Sequence, residues 1–124
     1  MAFTQKWNTD GVYIKYVDNL TSDELIESNS LLVGRREFES IKYVIADFSD
    51  ITSFEIDDTD VNISTSFVKK VRPYNKHIKV ALVSDNKDLQ LLIIKYIENT
   101  LKIMPQAKQK LFSTMTDAKN WVAS

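Results

Sequence analysis

The chain has 124 residues, 44% of them hydrophobic and 27% charged, the make-up of an ordinary globular domain and not of a disordered or fibrous chain. Sixteen Lys and Arg against seventeen Asp and Glu leave a net charge of -1, so no whole-molecule field favours nucleic acid or an acidic membrane. The absence of cysteine excludes disulfides, thiolate metal sites and cysteine nucleophiles.

The first residues lack a basic stretch followed by an apolar one, and no run approaches the ~20 apolar residues of a membrane span. A cytoplasmic protein with no integral membrane association is the expectation. Phe3–Trp7 and residues 12–17 alternate like half-buried strands. Asp10-Gly11 between them signals a hairpin, so the first pair is expected to be antiparallel. Thr21-Ser22-Asp23-Glu24 is a capping box that opens a helix. Leu25, Ile26, Leu32 and Val33 are placed on its inner side, with Gly34-Arg35-Arg36 as its stop.

Tyr43-Val44-Ile45-Ala46 is a short apolar run, as in a strand covered on both faces, and residues 78–83 are similar. Between them Asp57 can cap a helix reaching about Val71, with Val61, Thr65, Val68 and Val71 inward and Pro73 beyond. A third helix follows Asp85 and carries Leu89, Leu92, Ile93, Tyr96 and Ile97 on one stripe, with Pro105 after it. Residues 110–112 form the last strand. Thr114 or Thr116 then caps a terminal helix that brings Ala118, Trp121 and Val122 to the core. With no repeat or linker, this predicts one α/β domain over residues 1–124, in the order ββαβαβαβα. Its mixed β-sheet has right-handed parallel crossovers and an antiparallel N-terminal edge.

Three stretches together resemble the SpoIIAA-like family of the STAS superfamily. The first holds Trp7, Gly11-Val12-Tyr13 and Leu20-Thr21-Ser22-Asp23-Glu24-Leu25; the second runs Ile41-Lys42-Tyr43-Val44-Ile45-Ala46-Asp47-Phe48-Ser49; the third is Phe112-Ser113-Thr114 with Ala118 and Trp121-Val122. The resemblance implies a non-enzymatic regulatory or protein-interaction module with an unidentified protein partner. It also implies a Ser or Thr at the entry to the second helix that a partner kinase phosphorylates, and Thr59 occupies that place. The family motif there is typically Asp-Ser-Ser-Gly, whereas this chain has Asp57-Asp58-Thr59-Asp60. A phosphate of about -2 charge beside those carboxylates meets like-charge repulsion, and the carboxylates suit a plain helix start. SpoIIAA-like domains also share a general architecture with CRAL-TRIO lipid-transfer domains. That similarity implies an alternative function, a carrier for a small apolar ligand or lipid.

Asp47, Ser49 and Asp50 after one parallel strand, with Ser84 and Asp85 after the next, form a candidate ligand rim, because α/β sheets bind ligands at the carboxyl ends of strands. A magnesium ion or phosphoryl group is the functional reading. The acidic pair a receiver domain needs after its first strand is missing, since that strand ends in Trp7-Asn8. Capping and turn chemistry therefore carry more weight. Asp58, Asp60 and Asn62 open like a calcium loop, but Ile63 and Lys69 stand where it needs Gly and Glu. His77 is the single histidine and reads as a loop residue. No phosphate-binding glycine loop exists, and no catalytic residue, metal or cofactor is expected. Lys69, Lys70, Arg72, Lys76, His77 and Lys79 gather positive charge that reads mainly as a solvated helix end. Leu91, Ile94 and Leu101 project away from the third helix's inward stripe at about 100° per residue. A homodimer surface and packing within the chain are equal readings of them, with the wall of an apolar cavity behind both.

Overall fold

Asn8 sets the first turn: its side-chain oxygen accepts from the backbone N–H groups of Asp10 and Gly11, each at 2.9 Å. The turn joins β1 (Phe3–Trp7) to β2 (Gly11–Thr21) as antiparallel neighbours. Gly11 is required by close approach, because a Cβ there would collide with the ring of Tyr43 on the next strand. The computed structural model describes residues 3–71, 74–75 and 77–124.

At the end of β2 Thr21 caps the next helix as the sequence predicts, while Glu24 reaches back to the Thr21 hydroxyl and not to its backbone N–H. Thr21 Oγ1 accepts from the Glu24 N–H at 3.3 Å, and its hydroxyl donates to the Glu24 carboxylate at 3.1 Å. Helix α1 (Ser22–Val33) follows and stops at Gly34, whose N–H donates to Ser30 O at 3.0 Å. Leu32 is buried and Leu25 and Val33 pack on the core. Ile26 corrects the expected inner face: it is 48% exposed, because a step of about 100° from Leu25 turns it out of the core. Ser28 instead holds α1 to the sheet. Its Oγ accepts from the Tyr16 hydroxyl at 2.9 Å, and its carbonyl accepts from Gln5 Nε2 at 2.9 Å.

A 3-10 turn, Arg36–Glu39, buries Phe38 before β3 (Tyr43–Glu55). Asp57 then opens α2 (Asp58–Val71) through a reciprocal cap: the Asp60 N–H donates to Asp57 Oδ1 at 3.2 Å, and the Asp57 N–H donates to Asp60 Oδ2 at 3.0 Å. Pro73 lies outside the described residues. After β4 (Lys79–Val83), α3 (Lys87–Ile103) is capped by Asn86, whose Oδ1 accepts from the Leu89 N–H at 3.0 Å. β5 (Lys108–Phe112) starts two residues before the expected strand. Thr114, not Thr116, caps α4 (Met115–Val122).

The five strands lie in the order β1-β2-β3-β4-β5. β1 is the antiparallel edge, and the other neighbours are parallel. Alternation along the central strands divides the core between the two faces. One face carries Phe3, Ile14, Tyr16, Val44 and Leu82, covered by Leu32 of α1 and by Leu89 and Ile93 of α3, with Val61 of α2 also buried. The other face carries Ile45, Ala81 and Val83, which pack with Ala118 and Trp121 of α4. Tyr16 fixes the first core further by stacking on Phe48 at 4.8 Å between ring centres.

Candidate functional site

The expected rim of Asp47, Ser49 and Asp50 is corrected by the length of β3. These residues lie inside the strand, not after it. β3 has 13 residues and stays paired with β2 as far as Thr21↔Glu55, whereas its pairing with β4 ends at Asp47↔Val83. Asp47 thus marks where β3 loses one neighbour, and the strand runs on beside β2 alone.

Asp47 is buried, and its carboxylate is already engaged by the protein. Oδ2 accepts from the Tyr13 hydroxyl at 2.5 Å; Oδ1 accepts from the Ser49 N–H at 3.0 Å and the Ser49 hydroxyl at 2.6 Å. Burial, followed by the hydrogen bond to Asp47 and the charges of Asp47 and Asp50, holds the Tyr13 phenol well above its ordinary ionisation range. Asp50 is exposed and pairs with Lys15 at 2.6 Å; that contact raises the Lys15 pKa, with the Asp50 hydrogen bond as the main cause.

The second half of the rim is turn chemistry. Ser84 is fully buried; its Oγ accepts from the Asn86 N–H at 3.1 Å, its carbonyl accepts from Gln90 Nε2 at 2.6 Å, and its N–H donates to Phe112 O at 3.0 Å. Asp85 is exposed beside it. Among the described residues, no group of three or more His, Asp or Glu side chains is placed to hold a metal ion.

Thr59 is exposed in the first turn of α2, flanked by Asp58 and Asp60. The Asp60 carboxyl lies below its ordinary range, first because the Ser22 hydroxyl donates to it and then because the Asp57 N–H does. The Ser22 contact ties the start of α1 to the start of α2. Of the basic residues, Lys69 and Lys70 are exposed in the last turn of α2, and His77 is exposed in a turn. Arg72 and Lys76 lie outside the described residues. Lys79, at the start of β4, reaches the end of α4, where its Nζ donates to Trp121 O at 3.1 Å and Ser124 O at 2.7 Å. A cation there meets the negative end of the helix dipole.

On α3 the inward stripe forms with Leu89 and Ile93 buried. Leu91, Ile94 and Leu101 are 67%, 42% and 42% exposed. The readings that pack them within the chain or set them in a cavity wall are thereby corrected. They lie on the solvent side, about 110–170° from the stripe's centre.

A cavity lies elsewhere. It lies under α1, α2 and α3 in the larger core, is partly open to the surface and holds about 160 Å³. Gln109 of β5 is part of its wall. That residue escapes a sequence reading because the expected strand begins at Lys110 and leaves Gln109 outside it. In the sheet its register with Val80 turns it to the same face as Leu82 and Leu111.

No family model matches the chain, and no curated protein matches its sequence. Solved structures do match. An anti-sigma factor antagonist from Mycobacterium paratuberculosis superposes with a TM-score of 0.66 at 14% identity, over 98% of this chain and 93% of that one. The anti-sigma factor antagonist SpoIIAA in its unphosphorylated form gives 0.55 at 12% identity, over 99% of both chains. The chain has a SpoIIAA-like fold. An uncharacterised DUF3478 protein with a SpoIIAA-like fold from Shewanella loihica gives 0.56 at 16% identity, over 98% of this chain and 92% of that one. In this fold Thr59 lies in the first turn of α2, and Leu91, Ile94 and Leu101 of α3 face outward. Among the described residues, no helix is long and apolar enough to cross a membrane.

Proposed function

We propose that the chain is a non-enzymatic STAS-type regulatory module that acts by protein contact, and that its docking face is the outward side of α3, occupied by a second copy of the chain. The observation that carries this reading is the exposure of Leu91, Ile94 and Leu101 on one side of an otherwise well-seated helix. Three such side chains, at roughly 1.5–3 kcal/mol each when buried, contribute several kcal/mol before association costs are deducted.

Two features support a second copy as the occupant. The net charge of -1 sets up little repulsion between identical chains. An antiparallel, two-fold pairing about the level of residue 96 also sets Leu91 of one copy against Leu101 of the other. This is the self-complementary arrangement that a two-fold interface requires. The fold likeness to anti-sigma factor antagonists supports the regulatory part of the reading. The engaged state of Asp47 and Ser84 supports a structural role for both. Thr59 is left as the candidate regulatory position, with its acidic neighbours opposing a phosphate.

Light scattering on the wild type and on the Leu91→Glu, Ile94→Glu double variant tests this. A dimeric wild type and a folded, monomeric variant are expected. A monomeric wild type at high micromolar concentration removes the dimer.

A further inference from the structure

The cavity in the larger core is bordered by the sheet and three helices. The sheet supplies Ile14, Val44 and Leu82, and the helices supply Leu32, Val61 and Ile93. Its volume of about 160 Å³ is close to the ~150 Å³ of an apolar cavity that stays dry and takes up benzene.

Two observations set it apart from a packing defect. The first is a way in. A second hollow of about 150 Å³ lies between α1 and α2, and Leu25, Asn29, Asp60, Ser64 and Phe67 line both spaces. Ile26 and Ile63 border this second hollow and are 48% and 47% exposed, so the side between α1 and α2 offers apolar contact to an entering molecule. The second is an unmet hydrogen bond. Gln109 Nε2 donates to the Tyr96 hydroxyl at 2.9 Å, while Gln109 Oε1 is buried with no partner. Buried acceptors are nearly always satisfied, and one left unmet calls for an explanation. A donor on a bound molecule supplies it.

We infer that this cavity is a binding site for an uncharged molecule about the size of one aromatic ring, carrying a single hydrogen-bond donor of the phenol type. The molecule enters between α1 and α2, fills the apolar space and donates to Gln109 Oε1. The mostly apolar wall, with the Asp60 carboxylate at its edge, selects against anions. The site is separate from the outward face of α3 and stands whether or not that face pairs.

A matched pair of probes tests the assignment: p-cresol and toluene, alike in shape and differing by one hydroxyl. Each is titrated into the full-length chain and followed by amide and methyl NMR. Both are expected to saturate, with shifts at Val61, Ile93 and Gln109. p-Cresol should bind about 3- to 10-fold more tightly, the worth of one neutral hydrogen bond. In Gln109→Leu that preference should vanish while toluene still binds. The Leu91→Glu, Ile94→Glu variant should bind p-cresol like the wild type. Absence of saturable binding by either probe to the wild type, equal affinities for the two, or shifts centred on the outward side of α3 would each overturn the proposal.

Discussion

Ser28→Ala removes one hydroxyl from the contact that seats α1 on the sheet. Ser28 is fully buried, and its Oγ accepts from the buried Tyr16 hydroxyl at 2.9 Å and from Gln5 Nε2 at 3.2 Å. Gln5 keeps a second acceptor in the Ser28 carbonyl, but the buried Tyr16 phenol loses the acceptor that Ser28 Oγ supplies. An orphaned buried donor costs about 1–3 kcal/mol. A chain of 124 residues has an unfolding entropy near 0.26 kcal/mol/K at roughly 2.1 cal/mol/K per residue, so each kcal/mol lowers Tm by about 4 °C. Ser28→Ala should therefore melt about 4–12 °C below the wild type. Tyr16→Phe keeps the ring stack on Phe48 and should cost only about 0.5–1.5 kcal/mol, the net worth of one hydrogen bond. The double variant has no orphan, so it should be more stable than the sum of the single losses implies, by at least about 0.5 kcal/mol. Urea unfolding of the four proteins supplies the numbers. Strictly additive losses, or a Ser28→Ala cost too small to measure, would refute the idea that an unsatisfied phenol drives the effect.

Other expectations can be checked on the same purified chain. Gly11→Ala drives a methyl group into the Tyr43 ring and should cost about 1–3 kcal/mol by overpacking, a loss that Tyr43→Ala in the same chain partly relieves. Asn86→Ala removes the cap of α3 and should cost about 0.5–2 kcal/mol in chemical denaturation. The pH dependence has a definite sign. Burial pushes Tyr16 up to about 12 from 10.0, and Tyr13 is raised as well. A raised folded-state pKa means that the stabilisation is complete below about pH 10 and is lost as pH climbs from 10 towards 12. Melting temperature should fall across that window in the wild type, and the fall should be shallower in Tyr13→Phe.

Much of the fold is legible because local signals and tertiary structure agree. Thr21 with Glu24, Asp57 and Thr114 each cap the helix that their spacing announces. The apolar runs at Tyr43-Val44-Ile45-Ala46 and residues 78–83 become the central strands because both sheet faces are covered. The miss in β3 has a clear cause. From Ser49 to Glu55 the residues are mostly polar or exposed, so no apolar run marks them as strand, yet pairing with the long β2 extends them to Glu55. An apolar run that ends at Ala46 places Asp47, Ser49 and Asp50 just beyond the strand, where they resemble a ligand rim. The outward set of Leu91, Ile94 and Leu101 was visible because helical periodicity needs no partner to compute. The cavity was not, since it depends on how three helices sit over one sheet face, and no single segment encodes that.

The absence of cysteine permits one direct test of the α3 contact. A Leu91→Cys, Leu101→Cys variant, exposed to mild oxidant, should form a covalent dimer rapidly if those two positions face each other across a two-fold axis. A Thr59→Cys control, placed on α2, should link slowly. Linkage of the α3 variant no faster than that control would contradict the account.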